Sequence, residues 1–406
     1  MPPSPPPSPR QSMSLSKSLS KSPPKSPSMS MSIEEIVLGC VYTYAPDEPP
    51  RRIAPVHRRP NEVLGEVLLE LLRRGPMAIA FSGGVDSSGL LCLATTVARA
   101  HGLDEPIAVT GRFPAAPSTD ESRWQELVVD HLGLRDWVKV ALHDECDIIG
   151  GDAQAGLLRH GVRWPPLVHA EQPLMRACGA HTYVMGNGGD ELTFPTRAGV
   201  LQLVASGTVR RDRAALTALA SEVAPRFDWL PGRDERLLPD WIVPAARARL
   251  GATVSGRRHR RRFRWVPTLG DRTNAPWARR GHATVVASGA DAGVVVAQPL
   301  TDPRVVGAMA TAGGRWGFPD RATAALALFG ESMPLEVARR VDKVDFTDAY
   351  FTGPSRTFIE SWDGTGVPTE LVDAELLATH WRSPRPRYSS IPLLQHAWLA
   401  QQGSRS

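Results

Sequence analysis

The chain has little that would tie it to a membrane, a metal cluster or an oxidising compartment. No stretch of ~18 uninterrupted apolar residues, the length a spanning helix needs, occurs in it. Its four cysteines (Cys40, Cys92, Cys146 and Cys178) form no CxxC pair and no close Cys/His cluster. That excludes a zinc ribbon and a disulfide framework, and fits a reducing cytoplasm. Residues 1–32 lack any apolar periodicity, being almost wholly Pro, Ser, Lys and Met. Such a tract buries too little surface to offset its ordering entropy and is expected to be disordered. It has no continuous apolar core of a secretory signal, and its prolines bar an amphipathic transit helix. The net charge of +5 comes partly from this tail and partly from the run RRHRRRFR at 257–264. No aromatic-rich recognition motif accompanies that run, so it reads as a solvated loop or substrate-docking surface and nucleic acid is not an expected partner.

With 406 residues and 42% hydrophobic content, the chain can build one large domain or two modest ones. Apolar residues recur at helical spacing over 61–74. The run MAIAF at 77–81 is short, apolar and followed by glycines, as in a buried parallel strand. A helix is expected over 87–101, a strand over 106–113, and a helix opened by a Ser118/Glu121 capping box that runs to about 132. A strand over 137–143, a helix over 172–178 and a strand over 182–186 follow. This alternation predicts an α/β fold with a doubly wound parallel sheet. The expected organisation is a tail (1–32), a lead-in with a helix (33–75) and an ATP-binding domain (76–400). Within that domain an α/β core (76–197) precedes a mainly helical portion (198–400), and no internal repeat is present.

The strongest local signal is Ser82-Gly83-Gly84-Val85-Asp86-Ser87-Ser88, between an apolar strand and an amphipathic helix. Two glycines let the backbone approach a polyphosphate, amides form a nest, serine hydroxyls add hydrogen bonds, and the helix N-terminus adds a favourable dipole. An aspartate there would repel phosphates without a cation between them, which makes Asp86 a candidate magnesium ligand. The lysine of a Walker loop is absent. Taken alone, Gly-Gly-Val-Asp would be a turn into a capped helix. In strand–loop–helix context the full string resembles the PP-loop of ATP pyrophosphatases, among them GMP synthetase, NAD synthetase, asparagine synthetase and β-lactam synthetase.

A second string, Gly186-Asn187-Gly188-Gly189-Asp190-Glu191-Leu192, follows the last of the expected strands. Loops at the carboxyl ends of neighbouring parallel strands converge on a ligand crevice, so Asp190 joins Asp86 as a candidate ligand of one magnesium–pyrophosphate unit. Alone it would be a glycine-rich turn with an acidic helix start. Downstream of SGGxDS it is similar to the GxGGDEL element of asparagine synthetases. Asp120-Glu121, the QPLTDP run at 298–303 and the PLEVARRVDKVDF run at 334–346 match further elements of that family. PDWIVP at 239–244 and Trp362-Asp363-Gly364 are similar to the macrolactam cyclases of lasso-peptide pathways.

The resemblance implies a fold of the PP-loop nucleotide hydrolase type and an ATP-dependent ligase that adenylates a carboxylate and forms an amide. It places the pyrophosphate on 82–88 and the adenine against Val109, Thr110, Gly186, Asn187 and Gly188. It assigns Lys343 to the reacting adenylate, where an ammonium stabilises developing charge, although a lone loop lysine is ordinarily just solvated. Partners are then a carboxylate, on a small molecule or a precursor peptide, an amine, and a separate peptide-recognition or amidotransferase subunit. Two departures matter. Asn187 stands where many family members carry an acid, and an amide cannot act as a general acid or base. No glutaminase precedes the PP-loop and no cysteine precedes Cys40, so the amine is expected from ammonia, the substrate itself or another subunit. Adenylation of a tRNA base by the same loop, and a homologue that kept the fold but lost activity, are the competing readings.

Overall fold

The computed structural model describes residues 29–42, 51–194, 238–255, 264–342 and 344–403. Lys343, residues 195–237 and most of the Arg-rich run lie outside them. Five strands form one parallel sheet: β1 (Met77–Ala80), β2 (Ile107–Arg112), β3 (Trp137–Ala141), β4 (Thr182–Val184) and β5 (Val295–Ala297), in the order β3-β2-β1-β4-β5. The chain builds outward from β1 through β2 to β3, then returns to place β4 on the other side of β1. The direction of winding therefore reverses between β1 and β4, where an open α/β sheet leaves its ligand crevice.

The named helices are α1 (Ile33–Leu38), α2 (Pro60–Leu72), α3 (Val85–Ala100), α4 (Ser122–Leu132), α5 (Gly151–His160), α6 (Gln172–Ala177) and α7 (Gly189–Thr193). Alternate strand residues feed opposite faces of the sheet. Ile79, Ala108 and Val184 join the core under α2, α3 and α4, together with Leu64, Leu68, Leu90, Leu91 and Phe329. Ala78, Val109 and Tyr183 join a second core with Leu142, Leu174, Met175 and Val285, covered by α6 and the helix Pro276–Asp291. Both faces are buried, which is why these strands read as near-continuous apolar runs. A third cluster joins α1 to the last helices through Trp241, Trp362, Trp381 and Leu394.

Three details differ from the sequence reading. The Ser118/Glu121 capping box does not form. Pro117–Thr119 is a 3-10 turn, Ser118 donates to Asp348 at 2.7 Å, and α4 starts at Ser122, whose amide donates to Asp120. Glu121 is drawn instead to the buried Arg340 guanidinium, because charge-assisted bidentate bonds outcompete a backbone amide. Of the tract expected to be disordered, residues 1–28 lie outside the described residues, and its last residues are packed. Met31 is buried against the third cluster, and Ser32 with Glu35 makes the capping box of α1. Finally, β5 interrupts the portion expected to be helical. Three residues carry too little periodicity to be seen, and their strand geometry comes from pairing with β4.

Candidate functional site

The loop after β1 is set by its own side chains. Gly83 has φ +85, a left-handed conformation that favours glycine, and Gly84 is the N-cap of α3. The Ser82 and Ser87 hydroxyls lie 3.1 Å apart, Ser87 donates to the Gly84 carbonyl at 3.1 Å, and the Gly84 amide donates to Ser82 Oγ at 3.3 Å. From α4, Gln125 Nε2 donates to the Ser82 carbonyl at 2.9 Å. The two hydroxyls are thus held at the mouth of the loop, where a polyphosphate would take up their hydrogen bonds.

The loop after β4 lies beside it. Asp86, in the first turn of α3, and Asp190, in the first turn of α7, converge on one cation. Arg321 Nη2 is 3.3 Å from Asp86 Oδ2 and 2.8 Å from Asp190 Oδ1, and its guanidinium also stacks 5.0 Å from the Phe194 ring centre. Arg321 opens the helix Arg321–Phe329 behind the cap of Asp320. No motif announces it.

A second arginine ties three separate segments together. Arg340 pairs with Glu121 through two bonds, donates to the Gly83 carbonyl at 2.9 Å and reaches Asp342 at 3.2 Å. Burial acts against its charge, but Glu121 and Asp342 outweigh that and its pKa is raised. The PP-loop, the start of α4 and the segment leading to Lys343 therefore share one side chain.

These groups line a cleft of ≈ 650 Å3 at the carboxyl ends of β1, β2 and β4. Ser82, Gly84, Val85, Asp86, Ser87, Val109, Gly186, Asn187 and Asp190 all face it. Asp342 and Val344 line it too, so the chain on either side of Lys343 runs along its wall. Four expected contacts turn elsewhere. Ser88 is fully buried within α3, its amide bonded to Gly84, because one further residue rotates it ~100° away from Ser87. The Thr110 hydroxyl donates to Phe81 and accepts from Trp137 on the opposite sheet face from Val109. Gly83 presents its carbonyl to Arg340, and Gly188, at φ +98, packs on Leu300 and Thr301 beside a separate hollow.

The far wall of the cleft is apolar except for one carboxyl. Glu171 stands at the N-cap of α6, partly exposed to the cleft, among Cys146, Ala170, Leu174 and Met185. Tyr183 Oη donates to its Oε2 at 2.9 Å, and burial pushes its pKa up. Sequence reasoning missed it, for nothing distinguishes a lone Glu before a Gln-Pro helix start.

Residues 67–194 match the family model for asparagine synthase. This segment is an asparagine synthase domain. The match begins within α2 and ends just past α7, so it holds both glycine-rich loops, Asp86, Asp190, Glu121 and Glu171. No curated protein sequence matches the chain. The matched segment points to a family of ATP-dependent amide ligases, and the five-stranded parallel sheet is a fold that carries such a PP-loop. Among the described residues no helix is long and apolar enough to cross a membrane.

One glycine in the domain has a role that its neighbours define. A Cβ on Gly189 would overlap the Asp86 carboxylate, so any side chain there displaces it. Gly189→Ala is expected to lower nucleotide turnover by about a hundredfold, the cost of misplacing a reacting group by ~1 Å. Steady-state assay beside a thermal melt checks this, since turnover should fall far more than the melting temperature.

Proposed function

We propose that the chain adenylates a substrate carboxylate with ATP and passes the acyl group to an amine, releasing pyrophosphate and AMP. The observation that carries this is the meeting of Asp86 and Asp190, from the loops after β1 and β4, around a single positive charge beside the PP-loop serines. Two carboxylates with no third acidic, His or Cys ligand among the described residues suit magnesium, which completes its shell with phosphate oxygens and water. Asp86 and Asp190 would hold it, and bound there it neutralises charge on the departing pyrophosphate. The hydroxyls of Ser82 and Ser87 and the amides at the start of α3 orient the phosphates. Arg321 supplies a further charge to the same oxygens. Val109 and the Gly186–Asn187 backbone offer the surface for the base. The substrate carboxylate then lies toward the Glu171 wall, with room for a small acid or for a side chain presented by a peptide, as in macrolactam formation.

The test is substrate-dependent ATP–pyrophosphate exchange across a panel of amino acids and acidic peptides. Exchange that needs both magnesium and a carboxylate, with AMP and pyrophosphate as products, is expected. ADP and phosphate as products would overturn the proposal. In sequence Lys343 falls between Asp342 and Val344, which both line the cleft, and it is assigned the adenylate's charge. Lys343→Ala is expected to slow turnover far more than it weakens ATP binding, as for a contact that strengthens in the transition state.

A further inference from the structure

Amide formation consumes a neutral amine, yet most amines enter a site as ammonium ions, so some group must take a proton beside the acyl carbon. Asn187 is unable to do so. Among the other acids of the cleft, Asp86 and Asp190 meet Arg321, while Glu121 and Asp342 meet Arg340. Asp120 accepts from the Ser122 amide and lies 3.7 Å from Arg112. Glu171 differs from all of these. Among the described residues it has no cationic partner, one oxygen is fixed by Tyr183, and the other makes no hydrogen bond. Three described neighbours stay uncharged, since burial pushes the nearby Cys146 thiol up to about 12 and raises Tyr350 and Tyr183 as well.

We propose that Glu171 receives the attacking amine, pairing with it as an ammonium and taking the proton that frees its lone pair. The inference rests on reading the cleft as an acyl-adenylate site. The ammonium gives one proton to the free oxygen of the Glu171 carboxylate, and the neutral nitrogen attacks the acyl carbon. The carbon–oxygen bond to AMP then breaks, AMP leaves with that electron pair, and the second nitrogen proton departs to its phosphate or to water. A carboxylate with few neighbouring charges in an apolar wall holds a proton more tightly than one in water, which suits an acceptor working on ammonium. The Tyr183 hydroxyl fixes the acid's orientation, so Tyr183 is a positioning residue.

The test compares two nucleophiles on the intact chain, using whichever carboxylate supports exchange. Ammonium must lose a proton before it attacks, whereas hydroxylamine is already neutral at neutral pH. In Glu171→Gln, the ammonium-dependent rate should fall about a hundredfold further than ATP–pyrophosphate exchange does, as for loss of a general base. Hydroxamate formation should be nearly unchanged. Equal losses with both nucleophiles would make Glu171 structural, and a raised KM for ATP in exchange would make it a contact of the adenine amino group. Either result overturns the inference. If wild type shows no exchange with any carboxylate, the proposed function fails on its own account, and a second measurement still judges Glu171. With glutamate side-chain carboxyls labelled with carbon-13, and the Glu171 signal identified from Glu171→Gln, methylammonium chloride should shift that signal to saturation. Sodium chloride at equal ionic strength should not. A signal that methylammonium leaves unmoved would count against the amine subsite.

Discussion

Asp190→Asn is expected to lower ATP–pyrophosphate exchange by about a hundredfold or more, the scale of losing one preorganised charge at a reacting phosphate. Asp86→Asn should do the same. Each change keeps the size and hydrogen-bonding reach of the side chain and removes one negative charge from the cation between α3 and α7. The two residues act on one unit, so the double variant should be little worse than either single one. Asp291→Asn is the control. That carboxylate pairs with Arg159 and His160 remote from the cleft, and its loss should leave exchange unchanged. A double variant that showed the full product of the two single losses would mean that Asp86 and Asp190 serve separate sites.

The second large effect is on stability. Arg340 and Glu121 are both buried, with 3% and 6% of their side chains exposed. Arg340→Ala leaves Glu121 as an uncompensated charge beside the PP-loop, at a cost of ~3–5 kcal/mol in urea or thermal unfolding. Replacing both, as Arg340→Met with Glu121→Leu, removes the stranded charge and should recover much of that loss. The same double variant also frees the Gly83 carbonyl and Asp342 from Arg340. Recovered stability should therefore come without recovered exchange. A cost below ~1 kcal/mol for Arg340→Ala would place the pair with ordinary surface ion pairs.

Both loops were legible because their chemistry is local. SGGVDS needs only its own glycines, serines and helix start to form a phosphate cradle, and GNGGDE lies at the end of β4, the strand beside β1. The parallel sheet was legible from the apolar runs of β1, β2 and β4. The arginines were not. Arg321 reaches Asp86 across 235 positions and Arg340 reaches Glu121 across 219, and no local pattern tells which carboxylate a distant guanidinium will find. Arg340 even stands inside the late run at 334–346, three positions before Lys343. Glu171 was hidden for a related reason, since its significance lies in the apolar wall around it. Val109 and Thr110 are consecutive in a strand and face opposite ways, so only Val109 lines the cleft, and the ~100° turn per helical residue likewise separates the side chain of Ser88 from that of Ser87.

The central claim is that a carboxylate oxygen attacks the α-phosphate, and oxygen labelling follows that bond directly. A substrate whose carboxylate carries oxygen-18 at both positions is converted with unlabelled ATP and magnesium, and the nucleotide and phosphate products are weighed. The account predicts one heavy oxygen in AMP, the other retained in the amide, and none in pyrophosphate. Label in inorganic phosphate with ADP as the nucleotide, or AMP free of label, would contradict it.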